Sequence, residues 1–344
     1  MTTLRDLSQR LGLSVTQVSR ALNNHADVSA ETRERVQAAA RELGYQPNLS
    51  ARRLATGRSG MLGLVLPDIP REPEDGMFVQ IVGGLSQRLA RLGRQFVLHI
   101  ADPQDDIVEV YRRLIGGGAI DGFVLLEPEI RDRRVAFLRQ AGVPFVIHGR
   151  IEDPEDYPYY DIDNRGMAQQ LTGLLVAAGH RRIAFLNGPK TRTYAVSRRQ
   201  GYRMALAGAG LEEERGLHRF GPMSEAQGLL AGVSLFGEGG ARPSAVMCGN
   251  TRLARGLMQA LQAIGLSVPA DVSVVVHDDQ LRGLKSEAMD PPLTATCSPL
   301  AESWPHLARI LAAAVDGAPL STLQLLGRVQ LIERGSVSEC RDVP

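Results

Sequence analysis

The sequence predicts a small all-helical head of helix-turn-helix type followed by an α/β body of two doubly wound parallel-sheet lobes. Three observations carry this. Residues 4–44 repeat apolar side chains at helical spacing around a Gly-containing turn. From Gly60 onward, short apolar runs alternate with amphipathic stretches, as parallel strands covered on both faces do. That alternation runs twice in tandem, which fits two lobes closing as a clamshell on a small ligand.

In the head, Leu4, Leu7 and Leu11 share one face of a first helix, which Gly12 ends. Ser14 is a good N-cap for a second helix with Val18, Ala21 and Leu22 on one face. Ser29 caps a third helix with Val36, Ala39, Ala40 and Leu43 inside, closed by Gly44. In such a unit the second helix enters the major groove by its N-terminus. Val15, Thr16 and Gln17 then lie nearest the base edges, with Arg20 one turn on. Residues 1–58 hold nine Arg against five acids, a basic excess on a chain of net charge +1. Pro47 suits a helix start, but the segment 47–57 is too short for a stable helix alone.

In the body, strands are expected at 61–66, 95–100, 121–126 and 144–148, with helices at 78–92, 108–114 and 133–140. A second set follows, with helices at 164–178, 199–209 and 253–264 and strands at 182–186, 244–248 and 272–276. Two short strands in 319–333 should recross between the lobes. Ligands of open α/β sheets sit beyond the carboxyl ends of the strands. Phe78, after the loop that follows the first strand, is placed to stack on a ligand ring. Arg150, after a strand end, is placed to bond hydroxyls, with Asp163 orienting it or the ligand. Tyr194 is expected in the loop before Arg198. His148 is also a candidate, although a lone strand-end His more often satisfies a backbone bond.

Composition excludes several classes. No run approaches the roughly 18 apolar residues of a membrane span, and no signal peptide is read at the N-terminus, so a cytoplasmic protein is expected. Cys248, Cys297 and Cys340 lack the spacing of a zinc site or a disulfide framework. The 37 Arg against 2 Lys fit GC-rich coding more than a special site. A nicotinamide enzyme would carry Gly-x-Gly-x-x-Gly after its first strand, where Leu66 is followed by Pro67 and Asp68. Gly116 to Gly118 precede a strand and do not cradle phosphate. With no nucleophile–base pair and no metal-ligand cluster of usable spacing, no enzyme, metal or cofactor is expected.

The segments Thr3–Leu7, Leu13–Asn23, Val28–Val36 and Leu43–Asn48 closely resemble the head of the LacI/GalR transcriptional regulators in order and spacing. The resemblance implies DNA contacts at Thr3, Ser14, Val15, Thr16, Gln17, Ser19, Arg20, Asn23, Tyr45, Asn48 and Ala51. It also makes 47–58 a hinge helix that orders on DNA, with Arg52 at the backbone and Leu54 as a minor-groove wedge. Gln17 stands where the family usually has Thr.

The likeness continues through Asp163–Gly166, Gly179–Phe185, Arg198–Tyr202, His277–Asp279 and Pro291–Thr294. It implies a body of periplasmic-binding-protein type with Arg198, Asn250 and Asp278 as second-lobe ligand contacts. Their guanidinium, amide and carboxylate suit sugar hydroxyls, which both donate and accept. Two positions depart from the family: Thr251 replaces an acid after Asn250, and Cys297 replaces an Arg after the Pro-Pro-Leu-Thr turn. The His-Gly-Arg and Asp-Ile-Asp-Asn segments are similar to those of α-glucoside-operon repressors.

The expected domains are a head at 1–46, a hinge at 47–58 and a ligand-binding and dimerisation domain at 59–344. The first lobe is expected at about 60–161 plus 293–323, and the second at about 162–290 plus 324–340. The tail after Gly335 lacks tetramerising leucine heptads, so a homodimer on a palindromic operator is expected. The function expected is a repressor controlled by a mono- or disaccharide. A cytoplasmic sugar-binding protein without DNA regulation is the alternative.

Overall fold

The computed structural model describes residues 2–22, 27–45, 58–67, 77–151, 156–237 and 242–340. The chain divides into two compact units, Met1–Gly60 and Met61–Pro344.

The first unit holds α1 (Leu4–Leu11), α2 (Val15–Leu22) and α3 (Ala30–Glu42). Each begins on a side-chain cap. Thr3 Oγ1 accepts from the Asp6 amide while Asp6 Oδ2 accepts from the Thr3 amide, a reciprocal capping box. Ser14 Oγ accepts from the Gln17 amide at 3.1 Å, and Ser29 Oγ accepts from the Thr32 amide. Gly12 ends α1 at φ 65°, where a side chain would be strained. The three helices close on Leu7, Val18, Ala21, Val36 and Ala39.

The second unit holds two six-stranded sheets. The first contains β1 (Met61–Leu66), β2 (Gln95–Ile100), β3 (Gly122–Leu126), β4 (Phe145–His148), β5 (Tyr159–Ile162) and β11 (Gln324–Gly327), in the order β11-β5-β4-β3-β1-β2. The second contains β6 (Ile183–Asn187), β7 (His218–Phe220), β8 (Ala245–Cys248), β9 (Ser273–Asp278), β10 (Thr294–Cys297) and β12 (Gln330–Ile332), in the order β12-β10-β9-β8-β6-β7. Every pairing is parallel except β10 with β12.

Helices cover the sheets: α4 (Met77–Arg91), α5 (Ile107–Gly116), α6 (Arg133–Gln140), α7 (Asn164–Ala177), α8 (Thr193–Gly208), α9 (Glu225–Phe236), α10 (Thr251–Ile264) and α11 (Ser303–Val315). Central strands β6, β8 and β9 are buried along their whole length, because helices close both faces. Each sheet has a core on either side, built around Leu64 and Phe123 in one lobe and Val246 and Phe185 in the other. On the first lobe α11 lies tightly on α4, where a Cβ at Gly84 would overlap the Trp304 ring.

The lobe boundaries differ from those expected. β10 pairs with β9, so 294–297 belongs to the second lobe, and β11 pairs with β5, so 324–327 belongs to the first. The chain therefore crosses between lobes after Ile162, after Cys297 and after Gly327. Helix α8 begins at Thr193 rather than 199, because Arg192 takes the extended conformation of an N-cap. Tyr194 is thus in the first turn of α8, not in a loop.

Candidate functional site

On the head, Val15, Thr16, Gln17 and Arg20 are exposed along α2, as a groove-reading face requires. Gln17 is also structural: its Oε1 accepts from the Ser14 amide at 3.0 Å and from Ser14 Oγ at 3.1 Å. It closes the cap of α2, leaving its amide group as donor. Arg20 pairs with Asp27 at 2.7 Å with both side chains about half exposed, so the pair is weak. Thr3 and Ser14 serve as N-caps, Ser19 is half-buried, and Tyr45 packs on the head core. Burial raises the Tyr45 hydroxyl above its usual pKa. Asn23, Asn48, Ala51, Arg52 and Leu54 lie outside the described residues.

In the body, a cleft of about 570 Å³ opens at the carboxyl ends of the strands of both sheets. Its second-lobe floor is set by Arg198, which is 6 % exposed. Arg198 Nε donates to Asn164 Oδ1 at 2.8 Å and a terminal nitrogen donates to the Gly249 carbonyl at 2.7 Å. Asn164 Nδ2 in turn donates to Asp161 Oδ1 at 3.0 Å. The amide orientation is forced, since Arg can only donate and a carboxylate can only accept. Burial pulls the Arg198 pKa down, opposed by the charge of Asp279. Burial by itself would raise Asp279, but His277, Arg198 and Arg252 hold its carboxyl below the usual range. His277 Nε2 lies 3.3 Å from Asp279 Oδ1.

Aromatic rings supply the walls. Phe78 lines the cleft from the first turn of α4, and Trp304 from α11. His148 lines it too, its ring 5.8 Å from that of Trp304 and 6.2 Å from that of Tyr160. Burial drives the His148 pKa down to about 4, so the ring is neutral near pH 7. Tyr194 lines the cleft with the Arg198 guanidinium 5.1 Å from its ring centre, and burial pushes its hydroxyl up to about 12. Asn250 borders the cleft while capping α10: its Oδ1 accepts from the Leu253 amide and its Nδ2 donates to the Met223 carbonyl.

Three expected contacts are placed elsewhere. Asp278 is fully buried, with its carboxylate turned into the loop after β9, where it accepts from the Ser286 amide and hydroxyl and from Gln280. Gln280 turns that loop at φ 54°, and Asp279 is the acid that lines the cleft. Arg150 is not part of the lining: Gly149 turns the chain at φ 118°, and Arg150 Nε donates to Asp161 at 2.8 Å. Asp163 caps α7 by accepting from the Gly166 amide, so Asp161 is the acid that holds Arg150.

Sequence reasoning missed Asp161, Asn164, Asp279, Arg192 and Trp304, all of which line the cleft. A signal for Asp161 existed, since Asp-Ile-Asp alternates with the strand period of two. Trp304 carried none, because Pro305 beside it reads as a helix break. Among the described residues, no helix is long and apolar enough to cross a membrane, and no group of His, Cys, Asp or Glu could hold a metal ion.

Residues 3–48 match the family of bacterial regulatory proteins, lacI family, and residues 172–337 match the periplasmic binding protein-like domain. The HTH-type transcriptional regulator AglR of Rhizobium meliloti (strain 1021) is 38 % identical over 340 residues, covering 98 % of this chain and 95 % of AglR. A solved transcriptional regulator CelR–cellobiose complex matches with a TM-score of 0.69 at 31 % identity, covering 98 % of this chain and 100 % of that one. The lac repressor dimer bound to operator and the anti-inducer ONPF matches with a TM-score of 0.74 at 26 % identity, covering 98 % and 99 %. The chain belongs to the LacI family of bacterial regulatory proteins.

Proposed function

We propose that this DNA-binding transcriptional regulator is a repressor whose operator affinity is set by a mono- or disaccharide held between the lobes. The observation that carries the reading is the cleft itself. Planar donors and acceptors (Arg198, Asn164, Asp161, Asp279) form its polar part, and Phe78 supplies a face on which a pyranose ring can lie. Its volume of about 570 Å³ leaves room for two rings, and the structural relative named above was solved with cellobiose. The likeness to α-glucoside-operon repressors makes glucose disaccharides the first class to try. The reading needs no cofactor and no catalytic group, and it places the protein in the cytoplasm.

We assign the head to 1–46, the hinge to 47–58 and effector binding and dimerisation to the rest of the chain. Two apolar faces support a homodimer. Val79 on α4 and Ile100 on edge strand β2 are exposed on the first lobe, and Leu229, Leu230 and Val233 are exposed on α9 of the second. A two-fold dimer reads a palindromic operator.

Trp304 is the sole tryptophan of the chain, so its emission is a native reporter for the cleft. Titration with maltose, cellobiose, melibiose and galactose is expected to give a saturable change with at least one of them. A flat response to every sugar would remove the saccharide from the reading.

A further inference from the structure

Away from the three crossovers, main-chain bonds join the lobes at one rim of the cleft. The loop after β3 and the loop leading into α8 run side by side there. The Ile130 amide donates to the Thr191 carbonyl at 3.1 Å, and the Thr193 amide donates to the Pro128 carbonyl at 3.1 Å. Glu129 and Arg192 form an antiparallel bridge between these bonds. The Arg192 guanidinium then reaches back across. It donates to the Glu127 carbonyl at 2.6 Å and lies 3.6 Å from the Glu127 carboxylate and 3.4 Å from that of Glu129.

We propose that these two segments form an interlobe clasp that sets the resting angle of the clamshell, with Arg192 as its pin. Two features make it a releasable contact rather than a permanent weld. The Glu127 and Glu129 side chains are 61 % and 49 % exposed, so their ion pairs with Arg192 are weak and screened by salt. Glu127 also sits at φ 49°, a left-handed conformation that costs a residue with a Cβ and persists only while its partners hold it. The clasp faces the effector as well: Glu127, Pro128, Arg192 and Thr193 line the cleft. An occupant that bonds the Glu127 carboxylate or the Arg192 guanidinium competes with the clasp directly. Binding then shifts the population of lobe angles by the difference in its contacts with the two states.

The test uses the full chain without ligand and without DNA, so it stands apart from the saccharide reading. Nitroxides are placed at Gln140→Cys on α6 and Ala207→Cys on α8, both exposed, with Cys340→Ser to remove the half-buried native thiol. Labelled chain is diluted into unlabelled chain, so each pair measured by pulsed dipolar spectroscopy lies within one protomer. Two variants break different bonds. Arg192→Ala removes the pin. Thr193→Pro removes one bridging amide at the first position of α8, where proline is tolerated and Arg192 before it is already extended. Each variant is expected to broaden the distance distribution and shift it to longer distances. Distributions that superimpose on the wild type, in variants with wild-type thermal unfolding, would overturn the clasp. So would faster amide exchange at Ile130 in either variant, or at Thr193 in Arg192→Ala, with no change in interlobe distance.

Discussion

Arg198 Nε donates to Asn164 Oδ1 over 2.8 Å, and both groups are buried at the point where the chain passes from the first sheet into the second lobe. Arg198 therefore depends on an amide that also bonds Asp161 on the first lobe. Asn164→Leu keeps the size of the side chain and deletes both bonds. It should weaken effector binding by about tenfold, roughly the worth of one hydrogen bond to a charged group. In an Arg198→Ala background the same change should add almost nothing. Titration of Trp304 emission across this double-mutant cycle decides it, and additive losses would show that Asn164 acts on the ligand directly.

The two neighbouring acids at the end of β9 should separate cleanly. Asp279→Ala should abolish the effector response while leaving operator affinity close to wild type, with some loss of stability because the buried Arg198 guanidinium loses its neighbouring charge. Asp278→Ala strands the donors of fully buried Ser286 and half-buried Gln280 and should cost about 3 kcal/mol of stability. Thermal unfolding and operator titration of both variants check the assignment. The reverse pattern would return Asp278 to the cleft.

His148 gives a pH signature. Burial lowers its pKa from 6.5 to about 4 in the folded protein, so between these values the unfolded chain binds more protons. Stability should then rise with pH across that window, by up to about 1.4 kcal/mol per pH unit, and level off above it. His180, His218 and His306 are lowered in the same direction and add to the slope. His148→Gln should flatten the curve of melting temperature against pH between 4 and 6.5, and an unchanged slope would mean that the ring is not shielded from water.

Leu54→Ala tests the hinge. Loss of an apolar wedge should weaken binding to the selected operator by about 10-fold or more, leave nonspecific DNA binding nearly unchanged, and leave the Trp304 titration intact. Equal losses on specific and nonspecific DNA would reassign Leu54 to ordinary head stability.

Much of the fold was legible because strands covered on both faces leave short, uniformly apolar runs. β1, β6, β8 and β9 are of this kind. The elements that escaped lack that pattern. β10 reads Thr-Ala-Thr-Cys, half polar, because its threonines bond His277 and the Arg334 backbone. β7 has only three residues, and α11 carries Pro305 in its first turn. The site was legible as residue types more than as positions. Arg198, Tyr194, Phe78 and His148 reach the cleft. Which of Asp278 and Asp279 does so depends on where β9 ends and how Gln280 turns the loop, and neither is written in local periodicity. Asp161 and Asp163 pose the same problem at the end of β5, where the second acid is consumed as a helix cap.

The most direct measurement is fluorescence anisotropy of a labelled palindromic duplex, selected from a randomised pool, at fixed salt with and without each sugar. Salt must be fixed because phosphate contacts make affinity steeply dependent on it. The account predicts tight, sequence-specific binding that one saccharide weakens by about 5- to 150-fold, the usual span of allosteric coupling. Specific binding that no saccharide alters would contradict it.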